Sequence, residues 1–193
     1  MGDLDNLKRA KKPTYLPTVM SKNEVAALLR HMEGIPHVVC SLLYGSGLRI
    51  SEALRLRVQD IDFDYRQIIV RSGKGKKDRV TMLPEKLGGV LKHQIQKVKI
   101  LHQQDLAKGY GKTMLPKALS RKYPNADTKL GWQYLFPART LRKDPRSGVR
   151  HRYHISPKNI QRAVKKAARE ANITKKISPH TLRHSFATHP VRN

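Results

Sequence analysis

The chain of 193 residues carries 40 Lys and Arg against 14 Asp and Glu, a formal net charge of +26, which exceeds ordinary solubility charge and suits a polyanionic partner, nucleic acid first. A lone cysteine, Cys40, excludes an intrachain disulfide and reads as a small buried hydrophobe. With no long apolar run and no signal-like amino terminus, a membrane partner is excluded and a cytoplasmic protein is expected.

Residues 1–18, with Lys8-Arg9-Ala10-Lys11-Lys12-Pro13, read as a basic linker, and residues 19–193 as one domain. Ser21-Lys22-Asn23-Glu24 has the form of a capping box, and Val25, Leu28, Leu29 and Met32 follow at helical spacing. Gly34-Ile35-Pro36 breaks that helix. An apolar helix over 36–44 ends at Gly45-Ser46-Gly47, and a short helix runs from Ile50 to Leu56. Beyond Val58 the period changes. Val58 to Phe63, Ile68 to Val70 and Val80 to Leu83 spell a small three-stranded antiparallel sheet, with Gly73-Lys74-Gly75 turning between its last two strands. Pro84 starts a long helix with Leu87, Leu91, Ile95 and Val98 on one face.

Residues 108–155 are the least regular. A helix is expected around Leu115 to Tyr123, a buried extended segment over Trp132 to Pro137, then a basic loop with Arg139, Arg142, Lys143, Arg146, Arg150 and Arg152. Ser156-Pro157 and Ser178-Pro179 each pair a cap with proline at the first helical position and open the last two helices. The fold class is mainly α with a small three-stranded antiparallel β-sheet.

Three segments carry chemistry. Each has a plainer reading alone. The Gly45-Ser46-Gly47 turn before Leu48-Arg49 is a helix stop. Gly73-Lys74-Gly75-Lys76-Lys77-Asp78-Arg79 is a solvated hairpin, and it lacks the spacing of a P-loop. His180 and His184 lie four apart like a zinc pair, without the glutamate or cysteine that would support one. Taken together and in order, these segments resemble the first-arginine motif, the lysine hairpin and the His-x-x-Arg box of tyrosine site-specific recombinases, the phage-integrase superfamily. Ala118 to Ala126, Trp132 to Pro137 and Asp144 to Val149 further resemble the segment that sets integron integrases apart.

The resemblance implies a tyrosine-recombinase catalytic-domain fold and site-specific DNA recombination by phosphotyrosine transesterification, on integron gene-cassette sites. Attack on a phosphodiester places charge on its nonbridging oxygens and on the leaving oxygen. Arg49 and Arg183 would clamp the former bidentately. Lys74, with Lys77 as the alternative, would protonate the latter as general acid, and His180 would assist beside the nucleophile. No metal or other cofactor is implied. Lys76, Lys77, Arg79, Arg146, Arg150, His151, His154 and His184 would contact DNA. Trp132 would either stack on an unpaired base or belong to the core. The implied partners are duplex DNA, folded single-stranded sites, and further copies of the protein in a tetramer.

All seven tyrosines, Tyr15 to Tyr153, precede His180. Family members place their nucleophilic tyrosine after this box, and they carry an amino-terminal DNA-clamping domain. The 193 residues are therefore expected to be a truncated catalytic domain that binds DNA without cleaving it. The alternative function is a non-catalytic module that occupies recombination sites or blocks the intact enzyme. The helix bearing the box is expected to stop before Pro190.

Overall fold

The computed structural model describes residues 18–71, 78–115, 119, 122–145 and 148–189. All but the last residue of the linker expected over 1–18, the turn bearing Lys74, Lys76 and Lys77, Arg146, and most of the helix expected over 115–123 lie outside them.

Helix α1 spans Lys22–Arg30 behind the expected capping box: Glu24 N–H donates to Ser21 Oγ at 3.1 Å, and Ser21 N–H to Glu24 Oε2 at 2.6 Å. Helix α2 (Gly34–Gly45) buries Val38, Val39, Cys40, Leu42 and Leu43. Burial pushes the Cys40 thiol up to about 12, so it is a packing group and not a nucleophile. Helix α3 covers Ile50–Arg55.

The sheet has the order β1 (Ile61–Asp62), β2 (Gln67–Val70), β3 (Arg79–Met82), antiparallel throughout, with Ile61 opposite Ile68 and Val70 opposite Arg79. Its first strand is shorter than the apolar spacing predicts. Val58–Asp60 form a 3-10 turn, because the Asp60 carboxylate accepts from Arg57 N–H at 2.8 Å and from Arg71 Nε at 2.6 Å. Helix α4 begins at Gly88, after a 3-10 turn at Glu85–Leu87, and runs to Ala107. Of the expected face, Leu91 and Val98 are buried, Ile95 is half-buried, and Leu87 is buried in the 3-10 turn that precedes the helix.

Of the buried extended segment expected over Trp132 to Pro137, only Gln133–Phe136 is buried, and Trp132 ends a 3-10 turn; the stretch hydrogen-bonds alongside α3's exit, with Leu135 N–H donating to Leu56 carbonyl and Val58 N–H to Gln133 carbonyl. The basic segment that follows is not a loop. Strands β4 (Pro137–Lys143) and β5 (Arg150–His154) pair antiparallel, Lys143 opposite Arg150. Ordinary strand patterning is missing because their fixing contacts are polar: Arg152 turns inward and bonds Asp105 of α4.

Helices α5 (Pro157–Glu170) and α6 (Pro179–Thr188) start at the expected Ser-Pro caps. One core joins Leu28, Leu42, Leu43, Leu48, Leu54, Ile68, Phe136, Ile160, Val164 and Leu182. No helix among the described residues is long and apolar enough to cross a membrane.

Candidate active site

The turn between α2 and α3 fixes the first arginine. Gly47 has φ +62°, and a Cβ there would lie 2.6 Å from the Phe186 ring of α6, so only glycine allows the turn to nest against that helix. Two residues on, Arg49 caps α3. Its N–H donates to Glu52 Oε2 at 2.8 Å and its Nη1 to Glu52 Oε1 at 2.7 Å. From α6, Arg183 Nη1 donates to the Gly47 carbonyl at 2.6 Å and stands 3.6 Å from Glu52 Oε2. From the start of β3, Arg79 Nη2 donates to Glu52 Oε2 at 2.7 Å. Three guanidiniums from three separate elements thus converge on one carboxylate whose side chain is only 7% exposed.

Three positive charges around one negative charge leave a surplus. The Arg183 guanidinium is held below its ordinary value, first by burial and then by the Arg49 charge. Burial alone would raise the Glu52 carboxyl. The hydrogen bonds from Arg49 and the charges of Arg79 and Arg49 outweigh it, and the net shift is downward, so Glu52 is ionised. His180, one turn from Arg183, meets His184 edge to face at 4.2 Å between ring centroids. Partial desolvation, then the charges of His184, Arg183 and Arg49, hold the His180 imidazole below its ordinary range. The cluster therefore carries surplus positive charge, with an imidazole of lowered basicity beside it.

The remaining expected site residues distribute as follows. Lys74, Lys76, Lys77 and Arg146 lie outside the described residues, though Val70 paired with Arg79 places the root of the lysine-bearing connection at Glu52. Arg150 is exposed on β5. His151, expected on DNA, is buried on β5, opposite Arg142. His154 is half-buried, its Nδ1 donating to the Ile155 carbonyl at 2.7 Å and its ring packed against Tyr134 and Tyr153. Trp132 is half-buried, with the Arg71 guanidinium 5.6 Å from its ring centroid.

Behind Trp132 sits a group the sequence does not announce. The Arg57 guanidinium lies 3.6 Å above the Tyr134 ring and donates to Thr113 Oγ1 and to the Trp132 and Met114 carbonyls, each at 2.8 Å. Burial pushes its pKa below the ordinary value. Glu52 was also missed, although its signal was present: a glutamate three residues after Arg49 at a helix start has the spacing of a capping box.

The family model described as phage integrase family matches residues 18–193. The chain is 46% identical over 190 residues to an integrase/recombinase of Escherichia coli, covering 98% of this chain and 56% of that protein. It is 31% identical over 193 residues to tyrosine recombinase XerA of Pyrococcus furiosus, covering 97% and 52%. The crystal structure of XerA recombinase superposes with a TM-score of 0.56 at 26% identity, covering 95% of this chain and 53% of that one. XerH in its pre-cleavage complex with difH shares the fold at 21% identity, TM-score 0.54, with 90% of this chain and 42% of that chain covered. The chain spans about half the length of the curated relatives it matches. Matched over nearly all of its described length, with the arginines of its first and last motifs meeting at Glu52, the chain belongs to the phage integrase family and has the tyrosine-recombinase catalytic-domain fold.

Proposed function

We propose that this domain binds the scissile phosphodiester of a site-specific recombination site, and that its sites are integron gene-cassette sites, folded single strands included. The observation that carries the reading is the meeting of Arg49 and Arg183 at Glu52, from motifs more than a hundred positions apart. Held from behind by Glu52 and the Gly47 carbonyl, the two guanidiniums meet the nonbridging oxygens without reorganising, which is the condition for stabilising charge as it develops. Lys74, or Lys77, acts as general acid on the leaving oxygen, and His180 accepts or returns the proton of the attacking hydroxyl. DNA contacts extend through Lys76, Arg150 and His184. The resemblance of residues 118–126, 132–137 and 144–149 to integron integrases supports the choice of site, with Trp132 and His154 nearest the unpaired bases. Tetramer assembly on two DNA sites completes the reaction in this reading.

Binding to a hairpin site, its duplex and a random single strand at fixed salt tests the reading. The hairpin is expected to bind tightest, and Arg49→Ala and Arg183→Ala each to weaken it by about tenfold. Equal affinity for all three probes sinks the integron assignment. Indifference to both substitutions sinks the clamp and leaves a purely electrostatic binder. Site preference without a covalent adduct on a nicked suicide substrate would describe an occupant that blocks an intact enzyme.

Binding is also coupled to protons. In the free protein His180 is depressed, so between its folded and ordinary values the unfolded chain holds more protons and acidification lowers stability. A phosphate beside the imidazole favours its charged form and reverses the sign. Affinity for the hairpin therefore rises as pH falls from about 7.5 to about 6, and His180→Gln removes that part of the rise. A pH profile unchanged by the substitution would place His180 away from the phosphate.

A further inference from the structure

We propose that Arg79 is a third guanidinium of the scissile-phosphate site, touching the same phosphate as Arg49 and Arg183. This rests on the reading that those two grip a phosphodiester. It removes Arg79 from the general set of DNA-backbone contacts and gives it a role at the reacting atoms.

Arg79 and Arg49 bind the two oxygens of the same carboxylate at the same distance, 2.7 Å, and Arg183 stands 3.6 Å from the oxygen that Arg79 occupies. The three side chains are similarly open, 36% exposed for Arg79, 37% for Arg49 and 28% for Arg183. Each is therefore anchored at one end and still accessible to a ligand. All three are seated on regular backbone: Arg79 pairs with Val70 at the start of β3, Arg49 caps α3 and Arg183 lies within α6.

Bringing three like charges to one buried carboxylate is unfavourable unless something else collects the surplus. With only Arg49 and Arg183, Glu52 would leave one net positive charge, enough for a ground-state phosphodiester. With Arg79 it leaves two. In-line attack on a phosphodiester carries it from one negative charge toward two, so the third guanidinium matches the receptor to the transition state in preference to the substrate. In sequence Arg79 stands two residues beyond Lys77, one of the two candidate general acids.

The test is a titration of the arginine-labelled 193-residue chain with phenyl phosphate at pH 7 and fixed salt, where the ester is largely the dianion. The Nε–H resonances of Arg49, Arg79 and Arg183 are followed by NMR. All three are expected to move with one common Kd, and Arg79→Gln to raise the Kd read at Arg49 and Arg183 by about tenfold. If the glutamine variant does not fold, the response of Arg79 in the unaltered chain decides. Arg79→Lys, which keeps the charge and loses the fork, is expected to fall between the two. An Arg79 resonance that stays still while the other two move overturns the proposal and leaves the clamp standing, as does a glutamine variant with unchanged Kd. Silence at all three removes the clamp itself, and Arg79's role with it.

Discussion

Arg152→Ala is expected to lower the free energy of unfolding by about 3–5 kcal/mol, the cost of leaving one partner of a buried ion pair alone. Arg152 and Asp105 form a two-pronged contact, Nε to Oδ2 and Nη2 to Oδ1, both 2.7 Å, with side chains only 12% and 8% exposed. Nη1 also donates to the Ala138 and Arg139 carbonyls at 2.8 and 2.6 Å. One side chain on β5 thereby braces the end of α4 and the irregular start of β4. Truncation strands a buried carboxylate and two carbonyls. Arg152→Lys restores a point charge without the planar fork and should cost about 2 kcal/mol. The double substitution Arg152→Met with Asp105→Leu should recover most of the loss, because it leaves no unpaired charge inside. Urea unfolding measures all three. Because this guanidinium faces inward, the salt dependence of DNA binding should stay as it is in Arg152→Lys, whereas Arg150→Ala should flatten it. A loss under about 1 kcal/mol for Arg152→Ala would mean a solvent-screened pair and no brace.

That pair also explains which parts of the fold were legible in sequence. Helices α1, α5 and α6 announce themselves because their caps are local: Ser21 with Glu24, Ser156 before Pro157, Ser178 before Pro179. The apolar stripe of α4 and the order of the three-stranded sheet follow from periodicity in the same way. Strands β4 and β5 do not, since Pro137–Lys143 and Arg150–His154 hold mostly basic and polar residues. What makes them strands is Asp105, 47 positions from Arg152, and no window-based pattern contains both. Burial of His151 follows from the same strand pairing, which a loop reading could not anticipate. At the site, Arg49 and Arg183 were legible through their motifs. Glu52 was legible as a cap and illegible as a shared counterion, because Arg79, 27 positions away, and Arg183 reach it only in the folded chain.

Glu52→Gln should show what that counterion does. The amide keeps the size and one acceptor of the carboxylate, and loses the charge that holds three guanidiniums together. Stability is expected to fall by about 2–3 kcal/mol, less than for a fully enclosed pair, since the arginines are partly open to solvent and screened. The salt response should distinguish lost attraction from ordinary cavity formation. In the unaltered chain added salt weakens the ion pairs, whereas in Glu52→Gln it weakens repulsion among Arg49, Arg79 and Arg183. Raising NaCl should therefore narrow the stability gap between the two proteins. Acid behaviour gives an independent reading. The folded Glu52 carboxyl lies below its ordinary range, so its contribution is complete above the ordinary carboxylate pKa of about 4 and is lost as pH falls through the folded value. Glu52→Gln lacks that part of the acid transition, and the two stability curves should converge below it. Its hairpin affinity should fall as well, despite the added net positive charge, because guanidiniums that repel no longer present their donors to one phosphate. A variant that binds the hairpin more tightly, with the same salt dependence as the parent, would mean that charge alone draws DNA to this surface. The arrangement around Glu52 would then be incidental to it.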